Sequence, residues 1–312
     1  MSSSNLRVRA YLAVLITFAL VAAGCSQPSA FQAPVSKFRD ASSVVIQSAK
    51  AYLVSLNKNE RDTYIYQQLE FRRQIKPSDL NKAQVFSDES IAARTKALDQ
   101  ISNYIELLYK LVNSDAPASI SAKTDDLKKS LTALSGEVNG LTGANDARFK
   151  SVVNTAFPII GGLLKDLVNK KITDALKQAA NDGTKPVNEL IEAIRLDMEV
   201  EYERKRSAAG GKVTAAILEY NREFEKGPAA DPARLHAYAD QISAAEDQAE
   251  TLRTAQPGQG LVAMKKANDA LLALANQPKP SIQDFASFVN EVESFANTAK
   301  RVGDAVQSLS KL

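Results

Sequence analysis

The fold of this chain is decided by its last long stretch, SIQDFASFVNEVESFANTAKRVGDAVQSL (residues 281–309). Apolar side chains recur there every three or four residues, at Phe285, Phe288, Val292, Phe295, Ala299, Val302, Val306 and Leu309. This heptad spacing places them on one face of an α-helix and is typical of helical bundles and coiled coils. Ser281 and Asp284 resemble a capping box at the start of that helix, with aspartate in the usual glutamate position.

Similar helical periodicity extends through most of the preceding chain, with proline and glycine between the segments. It predicts helices over about 37–74, 87–114, 119–138, 146–180, 184–226, 231–256 and 261–275. No strand-like alternation of useful length occurs, tryptophan is absent and glycine is sparse. The segments are long and their connections short, which favours antiparallel neighbours. We therefore predict an all-α fold, an elongated antiparallel bundle of about six to eight helices with coiled-coil-like packing.

Three details of this prediction concern helix ends. Asn181-Asp182-Gly183 is a reasonable C-terminal cap for the helix over 146–180. Pro186 then fits the first turn of the next helix, where proline is tolerated. Within that next helix, Gly210-Gly211 indicates a bend, a close helix contact or a break.

The first 24 residues have the three parts of a secretory signal peptide. Arg7 and Arg9 form a positive end, residues 10–23 are almost entirely apolar, and small residues precede Cys25. The apolar part is shorter than the roughly 20 residues that a membrane-spanning helix needs. We expect residues 1–24 to be removed.

The end of this segment resembles the lipobox of bacterial lipoproteins, which signal peptidase II recognises. Ala23, Gly24 and Cys25 match its last three positions, whereas Ala22 stands where leucine is usual. The resemblance implies cleavage between Gly24 and Cys25 and attachment of palmitate-type acyl chains to Cys25. It also implies, because Ser26 follows the cysteine, a lipid anchor in the bacterial outer membrane, with the body in the periplasm or on the cell surface.

The remaining sequence predicts two further parts of the mature chain. Residues 25–36, which include the small and proline-bearing run SQPSAFQAPVS, are expected to form a flexible tether. Residues 37–312 are expected to form a single helical-bundle domain. Since Cys25 is the sole cysteine, the mature chain can form no internal disulfide.

Composition argues against several classes of function. The formal net charge of +3 falls to +1 without Arg7 and Arg9, so no basic excess points to nucleic acid. The single histidine, His236, cannot supply a zinc-type ligand cluster, and no nucleophile elbow or phosphate-binding glycine loop accompanies it. We therefore predict no catalytic residue, no metal site and no cofactor, and a protein that is not an enzyme.

One uncharged segment, SVVNTAFPIIGGLL (residues 151–164), admits two interpretations. It fits a core helix that is apolar on most sides and kinked at Pro158. It also fits a membrane-inserting segment like those concealed in helical pore-forming toxins. The candidate residues are Phe157, Pro158, Ile159, Ile160, Gly161, Gly162, Leu163 and Leu164.

Three functions remain open on the sequence alone. The first is a non-enzymatic scaffold or binding module that is held at the membrane by its lipid anchor and recognises an envelope protein. The second is a membrane-active bundle that inserts residues 151–164. The third is a carrier of lipid or another apolar ligand.

Overall fold

The computed structural model describes residues 28–70, 72–82, 84–113, 117–167, 172–277 and 281–309. These residues contain α-helices and two 3₁₀ turns but no β-strand. The helices are α1 (Pro28–Glu70), α2 (Pro77–Lys82), α3 (Asp88–Asn113), α4 (Pro117–Asn139), α5 (Ala147–Leu167), α6 (Ile172–Phe224), α7 (Pro232–Ala255), α8 (Gly258–Ala275) and α9 (Ile282–Leu309). The predicted all-α bundle is confirmed, and α2, only six residues long, was not foreseen.

Contacts between α1 and α3 define the two ends of the bundle. At one end, which we call the foot, Gln32 Nε2 donates a hydrogen bond to the Val112 carbonyl over 3.0 Å. At the opposite end, the head, Asn57 Nδ2 donates to the Phe86 carbonyl over 2.7 Å. Helices α1 and α3 are therefore antiparallel, and the N-terminus of α1 lies at the foot.

The final helix packs as its heptad pattern predicts. Phe288, Val292, Phe295 and Ala299 are all buried, and Phe285 is partly buried against the core. Val302, Val306 and Leu309 have side chains outside the described set. Helix α9 runs parallel to α1, because Phe31 contacts Phe285 at 5.2 Å between ring centroids while Phe38 contacts Phe295 at 5.7 Å.

The predicted tether is wrong for residues 28–36, which form the first two turns of α1. Phe31 and Val35 are buried in the main core. Their spacing from Phe38, four and three residues, extends the apolar face of α1 toward its N-terminus. The edge-to-face contact between Phe31 and Phe285 holds these turns in place. Between Cys25 and Pro28 only two residues remain.

The predicted helix end at Asn181-Asp182-Gly183 is also wrong, since α6 passes through it and through Pro186 without interruption. A tertiary contact explains the glycine. A Cβ atom on Gly183 would lie 2.7 Å from the Tyr104 hydroxyl oxygen, so only glycine lets α3 approach this closely. Tyr104 also donates a hydrogen bond to the Ala179 carbonyl over 2.9 Å, which joins α3 to α6.

Gly210-Gly211 likewise interrupts nothing, and no break or close helix contact occurs there. Both lie inside α6, and a Cβ atom at either would meet no heavy atom within 4 Å. Helix α6 is thus one continuous helix of 53 residues, which corresponds to about 80 Å along its axis.

Near the head, a fully buried arginine joins three segments of the chain. Arg94 on α3 has no exposed side-chain surface and forms ion pairs of 2.8 Å with Asp146 and Asp197. Its guanidinium lies 4.0 Å from the centroid of the Phe86 ring and 4.7 Å from that of Phe149. Burial raises the pKa of Asp197, and the charge of Arg94 opposes this rise.

Candidate functional site: the distal hairpin

The second part of α6 and most of α7 form a two-helix hairpin beyond the head of the bundle. The main hydrophobic core has no member between Ala209 and Leu252. Among side chains described in residues 210–251, only Glu223 and Ala245 are buried. The two helices pack against each other over this stretch. We call residues 210–251 the distal hairpin.

The interface between α6 and α7 inside the distal hairpin has the same heptad spacing as α9. Its members are side chains of the distal hairpin that are buried or only partly exposed: Val213, Ala216, Tyr220 and Glu223 on α6, and Leu235, Tyr238, Ile242 and Ala245 on α7. The spacing of three and four residues fits coiled-coil packing. The small alanines let the two helices lie close together.

The turn of the distal hairpin is fixed by hydrogen bonds around Glu223. Its carboxylate accepts a hydrogen bond from the Asp231 backbone N–H over 3.0 Å and pairs with Lys226 over 2.6 Å. The N–H of Asp231, followed by the ammonium of Lys226, holds the pKa of Glu223 below its usual value. Asp231 then caps α7 by accepting from the Ala233 N–H over 2.9 Å, as its position before Pro232 predicts. Gly227, at φ +59°, supplies the left-handed residue of this turn.

Beside this turn, large apolar side chains face solvent. The exposed fractions are 39% for Ile217, 52% for Leu218 and 62% for Phe224. Ile217 and Phe224 are seven residues apart and share one side of α6. Tyr220 stacks on Phe224, with ring centroids 6.3 Å apart and an interplanar angle of 10°. We call Ile217, Leu218, Tyr220 and Phe224 the tip patch.

Buried polar groups connect the base of the distal hairpin to the bundle. The Tyr202 hydroxyl donates to the Leu252 carbonyl, which links α6 to α7. Lys205 Nζ lies 5.7 Å from the centroid of the Tyr52 ring on α1. Burial lowers the pKa of Lys205 to about 8, although the carboxylates of Glu60 and Glu201 favour its charged form. These contacts join the base of the distal hairpin to α1 and hold α6 against α7.

The distal hairpin carries more negative than positive charge. Eight acidic side chains stand against four basic ones. Some acids are paired within the hairpin, such as Glu219 with Arg222 at 2.6 Å. Among the described residues no ion pair involves Glu225, Asp240, Glu246 or Asp247. Its unbalanced carboxylates give the hairpin a negative surface.

The apolar segment 151–164 lies on α5 and has a buried side and an exposed side. Phe157 and Ile160 are buried in the core, Gly161 is half-buried, and Pro158, Ile159 and Gly162 are exposed. The side chains of Leu163 and Leu164 lie outside the described set. Insertion of this segment into a bilayer would have to break the core contacts of Phe157 and Ile160. Membrane insertion of residues 151–164 remains a prediction.

Other sequence predictions fall outside the site. Gly24 and Cys25 precede the described residues. His236, the single histidine of the chain, is exposed on α7. In the described ranges, no cluster of three or more His, Cys, Asp or Glu side chains could hold a metal ion. None of the helices described is both long and apolar enough to cross a membrane.

Sequence reasoning missed the exposure of the tip patch. The periodicity of α6 assigns Ile217, Tyr220 and Phe224 to an apolar, core-facing side. The structure brings only Tyr220 partly into the hairpin interface, and in the described part of the chain Ile217 and Phe224 are left exposed. One feature of the sequence indicated this exposure: Leu218 is an apolar residue next to Ile217 and therefore lies off the periodic apolar face.

Comparison of the chain with protein-family models, with curated proteins and with solved structures gives no match. The proposal for its function therefore rests on its own residues and geometry.

Proposed function

We propose that this protein is a lipid-anchored lipoprotein of the bacterial outer membrane and acts as a non-enzymatic binding module, with the distal hairpin as its recognition surface. The observation that carries the proposal is the tip patch. It places two strongly exposed apolar side chains, Leu218 and Phe224, on a preorganised element outside the core. Exposed apolar side chains near an aromatic pair such as Tyr220 and Phe224 are typical of protein-binding surfaces.

The position of α1 supports this arrangement. Pro28 starts α1 at the foot, and Cys25 precedes it by three residues. Three residues extend over about 10 Å at most, so acyl chains on Cys25 would keep the foot close to the membrane. Helix α6 rises from the foot to the tip patch over about 80 Å. The distal hairpin would then point away from the membrane, where a partner can reach it.

Charge indicates the chemistry of the partner. The unpaired carboxylates of the distal hairpin favour a partner surface that combines basic side chains with an apolar centre. Opposite charges would speed association at low salt and orient the encounter. An envelope protein with such a surface is the proposed partner.

The surface can be tested by photo-crosslinking in cells, with a photoreactive residue at Leu218. Val54 on α1 is the matched control, because it is 59% exposed but lies outside the distal hairpin. We expect one discrete adduct from position 218 and none from position 54. Phe224→Ala should reduce the adduct, since truncating a central aromatic anchor typically costs about 2 kcal/mol of binding or more.

Charge provides the second arm of this test. Asp240→Lys/Asp247→Lys leaves the tip patch intact but removes two free carboxylates from α7. We expect loss of the adduct in this variant and weaker crosslinking at high salt. Equal adducts at positions 218 and 54, or an adduct that survives charge reversal, would reject the distal hairpin as the recognition surface.

The lipid anchor is tested separately by the intact mass of the membrane-extracted protein. We expect a mature chain that starts at Cys25 and carries added acyl mass. Cys25→Ala should carry no added acyl mass, because the thiol that accepts the acyl group is gone. A chain without acyl groups, or one that retains residues 1–24, would remove the anchor from the proposal and leave the distal hairpin untouched.

A further inference from the structure

In the distal hairpin, helix α6 carries a second row of heptad-spaced residues besides the row that packs against α7. Its members follow one another at intervals of four and three residues: Gly210, Thr214, Ile217, Asn221 and Phe224. All five are exposed, and Leu218, which is 52% exposed, lies beside them. Heptad spacing of this kind is what one helix of a coiled coil presents to another. We call these five residues the exposed seam.

The exposed seam and Leu218 are uncharged. At 3.6 residues per turn they cover an arc of about 120° around α6. The charged residues of α6 in this stretch all lie outside that arc: Lys212, Glu219, Arg222 and Glu223. The Thr214 hydroxyl is satisfied within its own helix, since it donates a hydrogen bond to the Gly210 carbonyl over 3.2 Å. An uncharged arc of this width is typical of a helix face that packs against another element.

Gly210 has no neighbour among the described residues that would require glycine. A Cβ atom there would meet no heavy atom within 4 Å, and its backbone is not in the left-handed region. Glycine destabilises a helix interior relative to alanine. On a helix face, however, it lets another backbone approach closely. Gly210 therefore indicates that the backbone of a partner comes close to α6 at the base of the exposed seam.

The length and charge of the distal hairpin indicate which partner segment fits. From Gly210 to Phe224, α6 rises by about 21 Å, so a partner helix of about fourteen residues would cover the exposed seam. The four basic and eight acidic side chains of the hairpin leave a net charge of −4, which attracts a basic segment. A second copy of the hairpin would bring the same negative charge, and this repulsion disfavours self-association.

We propose that the partner of the distal hairpin docks an amphipathic α-helix along the exposed seam, so that α6, α7 and the partner helix form a three-helix coil. This inference rests on the proposed function and adds to it the secondary structure of the partner segment and the extent of the contact. The apolar side of the docked helix meets Ile217, Leu218 and Phe224, and its basic residues interact with the carboxylates of the hairpin. Its backbone comes closest to α6 at Gly210.

Photo-crosslinking in cells with the full chain tests the extent of this contact. A photoreactive side chain is placed in turn at Thr214, Leu218 and Asn221. Ala215 is the control position, because it is exposed but lies on the charged side of α6. We expect the same adduct from the first three positions and none from Ala215.

The crosslinked residues of the partner report its secondary structure. Thr214 and Asn221 are seven residues apart, which corresponds to about 10 Å along α6. A helix that lies along α6 is then crosslinked at two residues about seven apart, whereas an extended segment is crosslinked at residues about three apart. Mass spectrometry of the digested adducts distinguishes the two spacings. We expect a spacing of about seven.

Gly210→Gln tests the close approach of the two helices. Glutamine is uncharged and a better helix former than glycine, so thermal unfolding of this variant should show no loss of stability. We expect the adduct from Leu218 to fall about fivefold or more, because the added side chain keeps the partner helix away from α6. Ala215→Gln adds the same side chain on the charged side of α6 and should leave the adduct unchanged.

The results separate this inference from the proposed function. An adduct from Leu218 without adducts from Thr214 and Asn221 would keep the distal hairpin as the recognition surface but overturn the docked helix. A spacing of about three residues, an adduct of two copies of this chain, or an undiminished adduct in Gly210→Gln would also overturn it. No adduct from Leu218 would reject both the docked helix and the proposed recognition surface.

Discussion

Replacing Arg94 with methionine is expected to lower the free energy of unfolding by about 3–5 kcal/mol. The substitution keeps much of the side-chain volume but removes the guanidinium. Asp146 and Asp197 are then left buried with no cation between them. An unpaired buried carboxylate must either keep its charge in a poorly solvated place or take up a proton, and both cost free energy.

Urea unfolding followed by circular dichroism measures this loss. Arg39→Met is the control, because Arg39 is partly exposed and forms its ion pair with its neighbour Asp40. It should cost less than about 1 kcal/mol. Adding Asp146→Asn and Asp197→Asn to Arg94→Met should recover part of the stability. A loss no larger than that of Arg39→Met would mean that the Arg94 cluster does not hold α3, α5 and α6 together.

Replacing Gly183 with alanine is expected to destabilise the protein by about 1–3 kcal/mol, although alanine is the better helix former. The added methyl group would meet the ring and hydroxyl group of Tyr104, which is itself fully buried. Either α3 must move away from α6 or Tyr104 must leave its position, and the hydrogen bond to the Ala179 carbonyl would then weaken.

A glycine-to-alanine substitution elsewhere in α6 should instead raise the free energy of unfolding. A Cβ atom on Gly211 meets nothing within 4 Å, so Gly211→Ala should stabilise by about 0.5–1 kcal/mol through helix propensity alone. Thermal unfolding of the two variants, measured side by side, tests the contrast. Stabilisation by Gly183→Ala would show that α3 and α6 are not in close contact at Tyr104.

The sequence was sufficient for the fold class, since the spacing in α9 determines which side chains face the core. It also marked the start of α7, because Asp231 and Pro232 carry local chemistry that needs no distant partner. Periodicity and capping are local properties, and the structure follows them wherever no tertiary contact competes.

Other features depend on distant partners and were out of reach. Asn181-Asp182-Gly183 has the composition of a cap, but it lies inside α6, where Gly183 leaves room for Tyr104 of α3. The local sequence does not indicate that Arg94 is buried in ion pairs, because its partners Asp146 and Asp197 lie 52 and 103 residues further along the chain. The exposure of the tip patch could not be predicted, because periodicity identifies an apolar face without saying whether another helix covers it.

The continuity of α6 has a mechanical consequence. The fifteen residues of α6 after Ala209 extend over about 20 Å, and among the described residues they contribute nothing to the main core and pack against α7. A sideways load on Phe224 therefore becomes a torque at the base, where Tyr202 holds the Leu252 carbonyl. Helix α6 continues from the distal hairpin into the packed part of the molecule, so the same helix carries this torque there. A force that a partner applies at the tip patch would therefore be transmitted along α6 to the helical bundle.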